Sequence, residues 1–343
     1  MRAGASDRTE AAGRRLATVI LIAICTATAC SREQASTPPA SPAPTSAPTA
    51  PPSVLAPPSA IASPSLPGGR LVFMQFVDEV ASLFTSKPDG TDLKPLLPTA
   101  TGEQPRWSPD RRYISVLGNS RQGLLFFGLV DPDGTHHVQF DSPDPTLELG
   151  CFAWSPDGSR LACEGFDGTD VTRNGIYTVH SSDGGDLVRV TTSPDGGHDI
   201  PTDYSPDGEQ IVFTRQAFAD EADTTLMVVN IDGSSARSLS DRRLGPGRWS
   251  PDGKTILTDD GDSLLLVPID GGEIRTIEIV SDSLKTAFFG SWSPDGEWIV
   301  FSGRASKSVD LYIVRVDGTN LHQVTDTPMG QWEEGADWTA DAP

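Results

Sequence analysis

Histidine, cysteine and long apolar runs are scarce in this sequence, and acidic residues outnumber basic ones by 47 to 26 over 343 residues. Each scarcity excludes something. With a formal net charge of −21 and no basic stripe, the surface repels phosphate backbones, and nucleic-acid binding is excluded. The five histidines (His136, His137, His180, His198 and His322) show no metal-ligand spacing, so no metal site is expected and His198 reads as a solvated loop residue. Thr258-Asp259-Asp260-Gly261-Asp262 is rich in carboxylates but lacks the full pattern of a calcium loop. Nucleophile elbow, Walker loop, dinucleotide fingerprint and His-Glu-x-x-His motif are all missing, so neither a catalytic residue nor a cofactor is expected. The strongest apolar run, residues 16–24, is about half of what a bilayer core of roughly 30 Å requires, which argues against a permanent transmembrane helix.

That short run has another reading. Arg8, Arg14 and Arg15 precede it, and the small residues Thr26-Ala27-Thr28-Ala29 follow it, directly before Cys30. A charged start, an apolar middle and a small-residue cleavage site make residues 1–29 a signal peptide. Cysteine straight after Ala-Thr-Ala resembles the lipobox of exported lipoproteins, which implies lipidation of Cys30 and a membrane anchor; plain secretion is the alternative. Residues 30–68 are almost all Ser, Thr, Pro and Ala after the cysteine, a composition that stays disordered and extended. At about 3.1 Å per residue this segment would reach roughly 100 Å, a stalk holding the rest outside the cytoplasm. Loss of residues 1–29 removes four arginines and two acidic residues, leaving 22 basic against 45 acidic and a formal charge of −23.

Residues 69–343 are repetitive. Trp107-Ser108-Pro109-Asp110 returns as Trp154-Ser155-Pro156-Asp157-Gly158, Tyr204-Ser205-Pro206-Asp207-Gly208, Trp249-Ser250-Pro251-Asp252-Gly253 and Trp292-Ser293-Pro294-Asp295-Gly296, then degraded as Trp338-Thr339-Ala340-Asp341. Successive aromatics lie 47, 50, 45, 43 and 46 residues apart, a spacing suited to a four-stranded unit. Ser-Pro-Asp-Gly suits a type I turn, Pro fixing φ at its second position and Gly accepting positive φ at its fourth. Apolar strands follow each turn, such as Gln210-Ile211-Val212-Phe213. A second turn motif, Asp-Gly, interleaves six times, at Asp89, Asp133, Asp183, Asp232, Asp270 and Asp317. Two hairpins per repeat give four strands.

This alternation of Trp-Ser-Pro-Asp-Gly with Tyr-Ile-Val and Asp-Gly-Thr, seen in Tyr312-Ile313-Val314 and Asp317-Gly318-Thr319, resembles the β-propeller repeat of TolB and its relatives over residues 70–341. The expected fold is all-β, a six-bladed β-propeller with four antiparallel strands per blade. The domain opens at Leu71-Val72-Phe73-Met74, which matches the strand after the turn, and closes on Ala336-Asp337-Trp338, which matches the strand before it. The C-terminal strand is therefore expected to complete the first blade.

Three groups of side chains follow from that frame. Cys151 and Cys163 flank the turn at Pro156-Asp157-Gly158; if Ser155 pairs with Ser159, the two thiols face each other, as a disulfide or as two small buried thiols. The residues just before the repeat aromatics are Arg106, Ala153, Asp203, Arg248, Ser291 and Asp337, so Asp337 neighbours Arg106 and Asp203 neighbours Arg248 around a central channel. They serve either as ion pairs joining adjacent blades or as a polar ring engaging a ligand at the channel mouth, with Glu103, Gln104, His198, Asp199, Glu333 and Glu334 in the loops above. A propeller without catalytic motifs, on a lipid-anchored stalk, is expected to be a monomeric, non-enzymatic scaffold binding a protein or peptide partner at the cell envelope. The alternative is a propeller-type polysaccharide lyase or hydrolase, which would need histidines clustered on a metal near the axis.

Overall fold

The computed structural model describes residues 66–341 except 78–79, 98–101, 120–124, 218–219 and 306–307. Cys30, the signal peptide and most of the Ser/Thr/Pro/Ala segment lie outside the described residues. Among those described, no helix is long and apolar enough to cross a membrane.

The recurrent turn explains its own sequence. In Ser205-Pro206-Asp207-Gly208, the Ser205 hydroxyl donates to Asp207 (2.5 Å) and accepts from the Gln210 amide (2.9 Å), while the Gly208 amide returns to the Ser205 carbonyl (2.8 Å). Asp207 in turn accepts from the Glu209 amide at 3.0 Å. The same bonds hold Ser155, Ser250 and Ser293. Gly208 sits at φ +76°, and in the first copy Arg111 is forced to the same region at +63°. The Asp-Gly turns need glycine for a second reason. A β-carbon on Gly318 would come 2.2 Å from the Glu278 carbonyl of the preceding sheet, and one on Gly90 equally close to the Val324 carbonyl.

Four sheets share one form, with four antiparallel strands in sequence order. They run from Gly102–Trp107 to His137–Phe140, from Glu148–Trp154 to Val188–Arg189, from His198–Tyr204 to Arg237–Ser238, and from Arg248–Trp249 to Arg275–Thr276. A fifth, mixed sheet has eight strands. Thr286–Trp292, Trp298–Arg304, Val309–Arg315 and His322–Gln323 form one part of it; Trp332–Thr339, Arg70–Val77, Val80–Ser86 and Lys94–Leu97 form the other. A single parallel bridge, Val309 to Trp332, joins the parts. Trp332–Thr339 pairs antiparallel with Arg70–Val77, so the last strand lies beside the first.

Alternation along the strands buries both faces of each sheet. Ile211 and Phe213 pack back onto Ala153, Ala162 and Ile176, whereas Val212 between them packs forward onto Trp249 and Ile256. Likewise Val72 and Met74 meet Trp107 and Ile114, while Leu71 and Phe73 meet Trp298, Val300 and Trp338. The core therefore lies between successive sheets, and each repeat depends on its neighbours.

The register beside the turns departs from a simple hairpin. Trp154 pairs with Leu161 and Ala153 with Ala162, one residue out from the register that the Ser155–Ser159 pairing implies; a β-bulge at Phe152 then restores it, so that Cys151 faces Cys163. The two are disulfide-bonded across the strands. Because that bond closes a loop of twelve residues in the unfolded chain, Cys151→Ser should cost about 2–4 kcal/mol. Urea midpoints of wild type with and without reductant check this; reduction should reproduce the variant, and an unchanged midpoint would show the bond to be without effect.

Candidate functional site

The bulge recurs in the first strand of four further repeats, at 103–106, 201–203, 288–291 and 334–337. Bulges bend a strand and re-aim its side chains. Here they lie just ahead of the residues before each aromatic, and at two of them a non-glycine residue takes positive φ, Gln104 at +48° and Phe289 at +53°. Such strain persists only where surroundings enforce it. Phe289 is so held, since its amide donates to Asp259 at 3.0 Å.

The six pre-aromatic residues Arg106, Ala153, Asp203, Arg248, Ser291 and Asp337 all line one cavity of about 240 Å³. Trp107, Trp154, Trp249 and Trp292 surround it, with Pro109, Pro251 and Pro294 at its rim. A second, smaller cavity of about 30 Å³ is lined by Met74, Phe76, Gln104, Phe289 and Glu334. Arg106 and Arg248 line both, so they stand between the two.

The opposite charges are neighbours, but among the described residues none of the four forms an ion pair. Asp337 accepts from the Trp107 amide (2.8 Å) and the Ser291 hydroxyl (3.1 Å). Asp203 accepts from the Trp249 amide (2.9 Å) and the Tyr204 amide (2.9 Å). Each carboxylate thus ties its own repeat to the backbone of the next. The arginines bond to carbonyls instead, Arg106 to Pro105 (2.8 Å) and Arg248 to Thr202 (2.7 Å). This corrects the expectation of ion pairs between adjacent units: the backbone amide of the neighbouring repeat's tryptophan, Trp107 or Trp249, reaches the carboxylate first. Burial pushes Asp203 up to about 7 against the pull of those amides and of Arg106. Asp337 is raised by the same cause, and burial lowers Arg106 while Asp337 and Asp203 oppose that.

The sequence pattern of the TolB beta propeller domain matches residues 148–339, more than half of the chain. The chain belongs to the TolB β-propeller family. TolB from Acinetobacter baumannii superposes with a TM-score of 0.62 at 19% identity, covering 80% of this chain and 67% of that one. A protein of Agrobacterium tumefaciens assigned as a TolB gives 0.59 at 19% identity, covering 80% and 99%. At these identities the likeness is one of fold. An uncharacterised protein of Agrobacterium fabrum is 26% identical over 235 residues, 67% of this chain and 60% of its own length, so the match spans less than two thirds of that relative.

On this propeller several expected site residues stand elsewhere. His198 is not a solvated loop residue: it opens the strand His198–Tyr204, is buried, stacks on Phe166 with ring centres 5.2 Å apart, and has its Nδ1 2.5 Å from Glu164. Asp199 is fully buried and held by two bonds from Arg215 (2.7 Å each) and one from Thr191. Glu333 is buried between Gln75 and Thr325, both of which donate to it, and burial pushes it up to about 7. None of the three lines either cavity, whereas Gln104 and Glu334 line the smaller one. Glu103 pairs with Leu117 in the ladder. The carboxylate run at 258–262 is engaged internally, Asp259 by the Phe289 and Gly261 amides and Asp260 by Arg242. Sequence reasoning passed over Glu164, which no motif marks, and noticed Asp259 only as part of a carboxylate run, not as the acceptor that holds the Phe289 amide.

Proposed function

We propose that this chain is an exported, non-enzymatic scaffold that binds a protein or peptide partner at the cell envelope, held to the outer face of the membrane through lipidated Cys30. The eight-stranded sheet counts as two blades, giving six, with Trp332–Thr339 as the innermost strand of the first. In support, one parallel bridge joins its parts, and one core cluster packs Leu71 and Phe73 against Trp298 and Leu311 as the others pack neighbouring sheets.

The observation that carries the binding role is the larger cavity, where tryptophans and rim prolines converge with two arginines at its floor. Rigid aromatic surface with a few fixed polar groups is what peptide recognition uses. The lyase reading needs histidines on the axis; the one histidine on an innermost strand, His198, is engaged by Glu164 and Phe166. Metal analysis of purified protein separates the two, since a stoichiometric transition metal would favour the enzyme.

Two results are expected in cells. Cys30→Ala should release the protein from membranes. With Cys30 intact, affinity capture should recover a partner that is lost when Arg106→Glu and Arg248→Glu are combined; unchanged recovery would remove the cavity as the binding site.

A further inference from the structure

Arg106 and Arg248 are in an unusual state for buried charges. Both are more than nine-tenths buried. A guanidinium stays charged at any pH the protein meets and carries five N–H donors in a planar fork. Each of these makes one bond, to a backbone carbonyl, and the Arg106 Nε–H has no acceptor. Asp337 and Asp203 favour the charge on Arg106 from nearby, but the hydrogen bonds they accept come from the Trp107 and Trp249 amides and not from the guanidinium groups. Leaving donors of a buried cation unmatched is costly, and a planar anion relieves that cost best through the fork.

The surroundings say how such an anion arrives. On one side of the arginines lies the cavity of about 240 Å³ with its tryptophan walls; on the other only about 30 Å³, room for a water or two. Besides the arginines, the walls of the smaller space include Met74, Phe76 and Phe289 together with Gln104 and Glu334, and a space of this size holds no peptide chain. A chain entering from the tryptophan side cannot continue past the arginines, so what reaches them is an end.

We propose that Arg106 and Arg248 form a carboxylate-binding site at the waist of the channel, which takes the C-terminal carboxylate of an extended peptide entering through the tryptophan-lined cavity. This rests on the peptide-binding reading above. It assigns affinity to the chain end and leaves sequence preference to the cavity walls.

Calorimetric titration of the exported chain with N-acetyl-trialanine, its C-terminal amide, and acetate tests it. The acid should bind at least tenfold more tightly than the amide and than acetate, and Arg106→Gln or Arg248→Gln should each remove the preference for the acid. Equal affinity for acid and amide, or binding of neither, overturns the site; acetate as tight as the acid overturns the chain-end assignment. The acid–amide comparison is made on wild type, so a variant that misfolds does not obscure it. Partner capture separates the two readings: a partner still lost on charge reversal, with no preference for the acid, leaves the scaffold standing and removes only the carboxylate site.

Discussion

Truncation after Gly330 is expected to abolish cooperative folding, although it removes only the last 13 residues. The lost strand, Trp332–Thr339, contributes six ladder pairs to Arg70–Val77. It also takes Ala336 and Trp338 from the cluster around Leu71, Phe73 and Trp298, and the Asp337 acceptor from the Trp107 amide. Truncating a buried tryptophan alone costs about 3–5 kcal/mol, against a whole-domain stability of about 5–15 kcal/mol. The strand Arg70–Val77 would be left with an open, apolar edge, and aggregation should follow. Thermal melting followed by circular dichroism, with sedimentation for association, reads the outcome; Trp338→Ala should show the graded version, a loss of about 3–5 kcal/mol. A truncated chain that melts cooperatively within about 1 kcal/mol of full length would show that the strand is an ornament on a self-sufficient sheet stack.

Stability should also fall, by several kcal/mol, as pH rises from about 4 to 8. Burial raises Asp203 and Glu333 to about 7 and Asp259 to about 6, each far above its unfolded value. A raised carboxyl keeps its proton longer in the folded chain than in the unfolded one. Its contribution is therefore present below the unfolded pKa and is lost as pH climbs through the folded one. The exposed turn aspartates act in the opposite sense. Hydrogen bonds from Arg70 and Lys94 hold Asp92 down at about 2, and those within the turn lower Asp207, so their contribution disappears only as pH falls below about 4. The stability maximum should accordingly lie near pH 4–5, lower than for most domains. Asp203→Asn keeps an oxygen for the Trp249 amide but cannot ionise, so it should gain stability relative to wild type at pH 8 and not at pH 4.5. Chemical denaturation at both values decides; stability that rises steadily between them would contradict the sign.

Much of the fold was legible because turns carry it. Pro at a fixed φ and Gly at positive φ mark each hairpin, and the recurring tryptophans mark the strand before it. The site was legible in part. The pre-aromatic rule brought Arg106, Asp203, Arg248 and Asp337 to one cavity, because residues at the same place in a repeat occupy the same place in a propeller. What each does there was not legible. Whether Asp337 meets a guanidinium or an amide depends on the bulge at Gly335 and Ala336, and bulges answer to neighbouring sheets rather than to local sequence. His198 reads as a loop residue because its partners, Glu164 and Phe166, lie more than thirty residues away. The Cys151–Cys163 alignment was reached through a hairpin register that the structure does not have next to the turn, and the bulge at Phe152 supplied the missing residue.

The central claim is that a partner is engaged at the tryptophan-ringed end of the channel. A photo-reactive amino acid placed at exposed Pro251 on that rim, and separately at Val188 on an outermost strand, tests it in intact cells with Cys30 unaltered. The account predicts a crosslinked partner from position 251 and none from 188. A partner captured from 188 with none from 251 would place binding on the outer strands and contradict it.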